Sequence, residues 1–278
     1  MITSKPTICE PLKDKVLLCD RIRDVAPRRV LVIFWHGVGD LVMFLPVFWA
    51  LEKHYPMIEF KLGVPKGLTY LDLVPDAIEL TGDEVNKDEQ TELLGFDLVA
   101  KITFPMNEGQ NEYTKGEFCC KHEIGINPIW GHGALPHYES RLCAVHFQIT
   151  CLPESCNPDA ATAERIWNDV RDAGWVPLEV HFQHIFHNPV NTMFPFIDAT
   201  VRRCRPEIKT LAGLIQHAGA FVGVVSGPFH VAMSVLPAKR VLLLEKDFKR
   251  EHFTRTDIRT ANLLDYKNEV AAFLKEIG

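Results

Sequence analysis

From Val30 to Trp35 every position is apolar, the pattern of a strand buried on both faces of a parallel sheet. A glycine turn, His36-Gly37-Val38-Gly39, follows and leads into a helix from about Asp40 to His54. Alternation then predicts a strand at Ile58–Val64, a short helix at about Gly67–Leu73 and a strand at Asp97–Thr103. Residues 104–137 are rich in glycine, proline and histidine, with helical character around Glu117–Ile124. A loop of that length in a compact fold is functional or holds further structure. Helices are predicted at 138–150 and 159–173, the second opening with Pro158-Asp159 and closing at Gly174.

The pattern then restarts. A strand at Leu178–Ile185 precedes helices at 191–204 and Thr210–Gly219. Next come a strand at Phe221–Val225, a helix at Pro228–Leu236, a strand at Val241–Leu244 and a terminal helix at Asn268–Ile277. Strands separated by helices at this spacing imply a doubly wound α/β fold. No internal repeat or low-complexity tract interrupts it.

A chain of 278 residues suits two domains. The expected division is an N-terminal extension (1–29), a first Rossmann-like domain (30–174) and a shorter second one (175–278). In the extension, Leu12, Val16, Leu17 and Ile22 line one face of a short helix that Pro27 ends. Hydrophobic residues at 47% and charged residues at 24% exclude disorder as the main state. No apolar run approaches the roughly 18 residues that span a bilayer, and MITSKPTICEPLKDK does not read as a signal peptide. A cytoplasmic protein is therefore expected. A formal net charge of −6 argues against nucleic acid as a partner.

Eight cysteines without an export signal read as reduced thiols. Cys119, Cys120, His122, Cys143, His146, Cys151 and Cys156 sketch a zinc pattern but lack paired C-x-x-C spacing. Cys143 and Cys151 sit among apolar residues, where a thiol behaves as a small hydrophobe. No metal and no cofactor is expected, and no D-x-D motif is evident.

Two turns carry the candidate chemistry. At the first, Gly37 and Gly39 allow φ > 0 and close approach of a ligand, and the helix start favours an anion or polar group. A dinucleotide fingerprint needs a third glycine, where Val42 stands, so a Rossmann dinucleotide enzyme is disfavoured. Asp40 is the one ionisable side chain of that turn, and reads either as a helix N-cap or as a functional carboxylate. At the second turn, Val225-Ser226-Gly227-Pro228-Phe229-His230, a strand passes into a helix with Pro in its first turn. Backbone N–H groups there point out of the carboxyl end of the sheet, where open α/β sheets bind ligands. Ser226 as N-cap and His230 as a packing residue are the structural alternatives.

Together the turns resemble the heptosyltransferase family, glycosyltransferase family nine. The first matches as His36-Gly37-Val38-Gly39-Asp40, then Leu45-Pro46 and Leu51. The second matches as Leu211-Ala212-Gly213-Leu214-Ile215, then Val225-Ser226-Gly227-Pro228-Phe229-His230. The resemblance implies a GT-B fold, two Rossmann-like domains facing across a cleft. It implies transfer of a heptose-like sugar, with inversion, from a nucleotide-diphosphate sugar to an acceptor hydroxyl on a glycan or lipid-linked saccharide. A lipid-linked acceptor implies peripheral contact with the membrane. Asp40 then resembles the family's general base. Gly37, Gly39, Ser226, Gly227 and His230 become substrate-binding residues, and His184 stands where a lysine-bearing phosphate loop is expected. Val225 replaces the family's acidic residue, and His184-Ile185-Phe186-His187-Asn188-Pro189 holds neither lysine nor glycine. These departures sustain an alternative: a catalytically silent nucleotide- or sugar-binding protein on the same scaffold.

Overall fold

The computed structural model describes residues 6–11, 16–35, 37–66, 74, 76–81, 95–102, 141–147, 157–180, 203–204, 208–246, 257–263, 266 and 269–278. The chain divides into two compact units, Met1–Ile129 and Trp130–Gly278.

The first unit holds strands β1 (Thr7–Cys9), β2 (Arg29–Phe34), β3 (Glu59–Pro65), β4 (Ile78–Leu80) and β5 (Leu98–Ile102). They form one parallel sheet in the order β1-β5-β2-β3-β4. Helices α1 (Leu18–Val25) and α2 (Val38–His54) precede and follow β2. Val30 to Phe34 are all fully buried, as an uninterrupted apolar run in a central parallel strand demands. Even positions of β2 face α2, where Phe34 stacks on Phe44 with centroids 4.5 Å apart. Odd positions, Leu31 and Ile33, join Leu80, Phe96 and Val99 in a second cluster.

Polar ties gather at the amino ends of these strands. Asp97 accepts from the backbone N–H groups of Arg28 and Arg29 at 2.8 and 3.0 Å. The Arg29 guanidinium donates to Glu59 and to the Gly95 carbonyl, and lies 4.6 Å over the Phe96 ring. One end of the sheet is thus held by charge and backbone bonds, and the glycine turn leaves from the other.

The second unit holds β6 (Leu142–His146), β7 (Val176–Val180), β8 (Arg203–Cys204), β9 (Phe221–Val224), β10 (Val241–Glu245) and β11 (Arg259–Asn262). They too are parallel, in the order β11-β10-β9-β6-β7-β8. Its helices are α3 (Ala160–Asp172), α4 (Ile208–Ala218), α5 (Gly227–Val235) and α6 (Glu269–Ile277). α4 packs on α5, and α3 on α6. Asp159 caps α3 by accepting from Thr162 N at 2.7 Å. Gly174 and Gly219 end α3 and α4 at φ 82° and 79°, where a side chain is strained. Trp175 Nε1 donates to the Leu274 carbonyl at 3.2 Å and ties the start of β7 to α6.

Most expected elements stand within two residues of their expected ends, and four departures are informative. A strand, β6, occupies 142–146 where a helix over 138–150 is expected. Its short apolar run fits either state, and the pairing of β6 between β7 and β9 decides. With β6 and α3 in the second unit, the division falls between Ile129 and Trp130 rather than near Gly174, and the second sheet, at six strands, is not a reduced one. Residues 7–9 are not a detached extension, because β1 adds a strand beside β5. Finally, 203–204 form strand β8 rather than the end of a helix. β4 and β11, of three and four residues, carry too little pattern to be anticipated. The elements expected within 67–73, 104–137 and 191–202 lie outside the described residues, as does the chain from 181 to 185.

Candidate functional site

Each sheet has one point where strand order reverses. In the first unit the chain runs from β2 to β3 and β4 on one side, then returns to β5 on the other. In the second it runs from β6 to β7 and β8, then returns to β9, β10 and β11. Neighbouring loops diverge at such a point and leave a crevice outside the carboxyl ends of the strands, where open α/β sheets bind ligands. Both glycine turns leave from these points: Gly37 to Asp40 after β2, and Ser226-Gly227 after β9.

At the first turn Gly37 is the N-cap of α2, with φ −70° and ψ 166°, and no side chain caps the helix. Gly39 lies inside its first turn. Neither glycine has positive φ, so the expectation of left-handed backbone here is not met. Glycine serves close approach instead: a Cβ on Gly37 would stand 3.7 Å from Asp40 Oδ2. Asp40 is the third residue of the helix and therefore not its N-cap. It is partly exposed. Its carboxylate makes no hydrogen bond or ion pair among the described residues.

At the second turn Ser226 is extended, φ −166° and ψ 172°, and caps α5. Its Oγ accepts from Phe229 N at 3.3 Å and donates to the Val224 carbonyl at 3.1 Å. The hydroxyl's one proton is thus spent on the fold. Pro228 has no N–H, and His230 N donates to the Ser226 carbonyl at 3.1 Å. Among the described residues Gly227 N–H has no acceptor, and the positive end of the α5 dipole lies behind it. The His230 ring meets the Phe229 ring edge-on at 5.4 Å, with Nδ1 buried. Val225 is buried, 8% exposed.

The second reversal point carries a residue that sequence reasoning left within the zinc pattern. His146 ends β6 and pairs in register with Gly223 of β9. It is 5% exposed, and its Nδ1 lies 2.7 Å from the Val180 carbonyl at the end of β7. The signal was a histidine closing an otherwise apolar run. Cys143 and His146, three apart on a strand, face opposite sides of the sheet and cannot share an ion. Among the described residues no three His, Cys, Asp or Glu side chains converge as metal ligands. Burial pushes the Cys143 thiol far above its ordinary range. His184 lies outside the described residues.

Two open parallel sheets, each with a glycine turn at its reversal point, define an α/β protein of doubly wound type. Solved structures carry the comparison further. E. coli heptosyltransferase WaaC, with ADP-2-deoxy-2-fluoro heptose, matches at a TM-score of 0.59 and 13% identity, over 90% of this chain and 100% of that one. The iron-containing dodecameric glycosyltransferase TibC from enterotoxigenic E. coli H10407 matches at 0.55 and 14%, over 85% of this chain and 62% of its own. The glycosyl transferase family 9 protein of Veillonella parvula matches at 0.53 and 13%, over 84% and 86%. This chain thus spans less than two thirds of TibC's length. The fold is that of GT-B heptosyltransferase structures. No protein-family model and no curated protein sequence matches the chain.

Proposed function

We propose that this chain is an inverting glycosyltransferase that moves a heptose-like sugar from a nucleotide-diphosphate sugar to an acceptor hydroxyl, with Asp40 as general base. The observation that carries this reading is the state of Asp40. Its carboxylate stands at the reversal point of the first sheet, partly exposed and unengaged among the described residues, and caps nothing. Among the described residues this carboxylate has no structural duty, which supports a role in taking a proton.

The reaction needs three things. As the acceptor oxygen bonds to the anomeric carbon, its proton passes to Asp40. The bond to the diphosphate breaks, the departing oxygen keeps the electron pair, and the Gly227 N–H with the α5 dipole stabilises the growing charge. Water must be excluded from the reacting atoms. Gly37 and Gly39 give the acceptor backbone without side chains. His230 and His184 are further contacts in this scheme. The acceptor is a glycan or a lipid-linked saccharide, the latter reached by peripheral contact with a membrane. Among the described residues no helix is long and apolar enough to cross one.

The donor in this reading follows from WaaC, whose structure holds an ADP-heptose analogue. The test is consumption of ADP-heptose and of a panel of other nucleotide sugars, with thermal shift as the binding readout. A ligand at 100 times its dissociation constant adds about 2.7 kcal/mol of stability. Release of nucleoside diphosphate supports the enzyme. One observation favours the silent binder: Val225 is apolar and the Ser226 hydroxyl is already engaged, so these two positions offer backbone alone. Saturable binding without turnover, with acceptor saccharides present, would select that alternative.

A further inference from the structure

A glycine adds freedom to the unfolded chain that folding must remove. Two structural reasons retain it: a left-handed backbone, or a neighbour that leaves no room for a Cβ. Gly174 has the first, with φ 82°. Gly223 has the second, where a Cβ would stand 2.5 Å from the His146 carbonyl. Gly37 has neither. Its φ of −70° and ψ of 166° are extended backbone that any residue adopts. Its chain neighbours apart, the atom of the described residues that a Cβ would meet within 4 Å is Asp40 Oδ2, at 3.7 Å, an ordinary contact. Capping does not call for glycine either. Ser, Asp or Asn at this N-cap would accept from the open N–H groups of the first turn of α2, and glycine has no side chain to do so.

The open space at Gly37 therefore adjoins one chemical group, the proposed general base. An acceptor oxygen hydrogen-bonded to Asp40 Oδ2 would lie about 2.5–3.0 Å from it. The carbon that carries this oxygen lies further out, in the range where a Cβ on residue 37 would stand. A primary hydroxyl comes at the tip of a hydroxymethyl arm and needs little room. A secondary hydroxyl brings the two ring carbons beside its own. We infer that Gly37 is a specificity-determining residue of the first unit, whose missing side chain admits, beside Asp40 Oδ2, the ring carbons that flank a secondary hydroxyl of the acceptor saccharide. This rests on the reading of Asp40 as general base and adds the class of hydroxyl that the base serves.

Methyl hexosides and methyl heptosides serve as acceptor probes, each paired with its counterpart deoxygenated at the primary position. Transfer to the deoxygenated compound must then use a secondary hydroxyl. The ratio kcat/KM is measured on wild type, Gly37→Ala and Gly37→Ser, with the best nucleotide sugar of an ADP, UDP and GDP panel. Gly213→Ala, in α4 with nothing within 4 Å of its Cβ position, is the control. Wild type should use the deoxygenated compound of its best pair about as well as the parent. Gly37→Ala should lower kcat/KM on that compound by about 10- to 200-fold, the discrimination of one methylene-sized change in a substrate pocket. Gly37→Ser separates room from capping: it adds a cap and should melt at or above wild type, yet share the loss. Gly213→Ala should transfer as wild type does. Loss of transfer on deoxygenation in wild type, wild-type kcat/KM in a folded Gly37→Ala, a loss in Gly37→Ala that Gly37→Ser repairs, or failure of both variants to fold overturns the inference alone. No transfer by wild type, or wild-type turnover in Asp40→Asn, removes the base reading, and this inference falls with it.

Discussion

Gly223 is the position in the second unit where one methyl group should cost most. It lies in β9 between β6 and β10, fully enclosed, and pairs with His146. A Cβ there would stand 2.5 Å from the His146 carbonyl oxygen and 2.9 Å from the Phe221 ring. Comfortable contact needs about 1 Å more. The oxygen is backbone in a paired strand and cannot rotate away, so β6 and β9 must part or the strand must bend. Overpacking of this kind costs about 1–3 kcal/mol. Replacing glycine returns about 0.4–1 kcal/mol by restricting the unfolded chain. At the middle of both ranges the net loss is about 1.3 kcal/mol, or roughly 3–5 °C in Tm at about 2–4 °C per kcal/mol. Two other glycines serve as controls. Gly213 in α4 has nothing within 4 Å of its Cβ position, so Gly213→Ala should raise Tm by about 1–4 °C. Gly63 would meet Leu80 Cδ1 at 2.7 Å, the end of a side chain that can turn, so Gly63→Ala should fall between the two. Differential scanning calorimetry on the three variants reads the ranking. A Gly223→Ala protein that melts at or above wild type would refute the packing of β6 against β9, and with it the crevice that these strands define.

Gly227→Val should abolish nucleotide-sugar binding with the fold intact, because the Gly227 N–H at the start of α5 becomes hindered, and circular dichroism beside calorimetry checks both halves. His230→Ala should weaken binding by about 1.5–3 kcal/mol if the ring meets a charged phosphate oxygen. A lower Tm with unchanged affinity would instead leave it a packing partner of Phe229. The Asp159 carboxylate, lowered by the backbone bond from Thr162 N, contributes stability that is full above its unfolded pKa and is lost as pH falls through the lower folded value. Asp159→Asn keeps the cap and should remove that share of the acid dependence of Tm, while an unchanged profile would exclude it. Cys143, buried with its thiol pushed far up, should resist thiol reagents in native protein at pH 8 and react on unfolding.

The sequence disclosed much of this because the signals were long and local. The apolar run at 30–34, flanked by glycines and a seventeen-residue helix, admits little else. The caps Asp159 and Ser226 marked α3 and α5 by composition alone. What it concealed depends on partners far along the chain. β6 is five residues whose strand state is set by neighbours starting at 176 and 221. Missing it moved the domain boundary. It also hid His146, whose place at the reversal point exists only once the strand order is known. Asp40 shows the finer limit. The residue was legible, but only the identity of the cap, Gly37, separates a carboxylate that caps the helix from one that does not.

Asp40→Asn therefore tests the central claim most directly, read as turnover of the best nucleotide sugar with acceptor present and Tm measured in parallel. Asn differs from Asp here by charge and basicity, at a position that caps nothing. The predicted result is a Tm near wild type, donor binding retained, and turnover lower by roughly 10²–10⁴-fold. Wild-type turnover in the folded variant would contradict it and remove Asp40 from the chemistry.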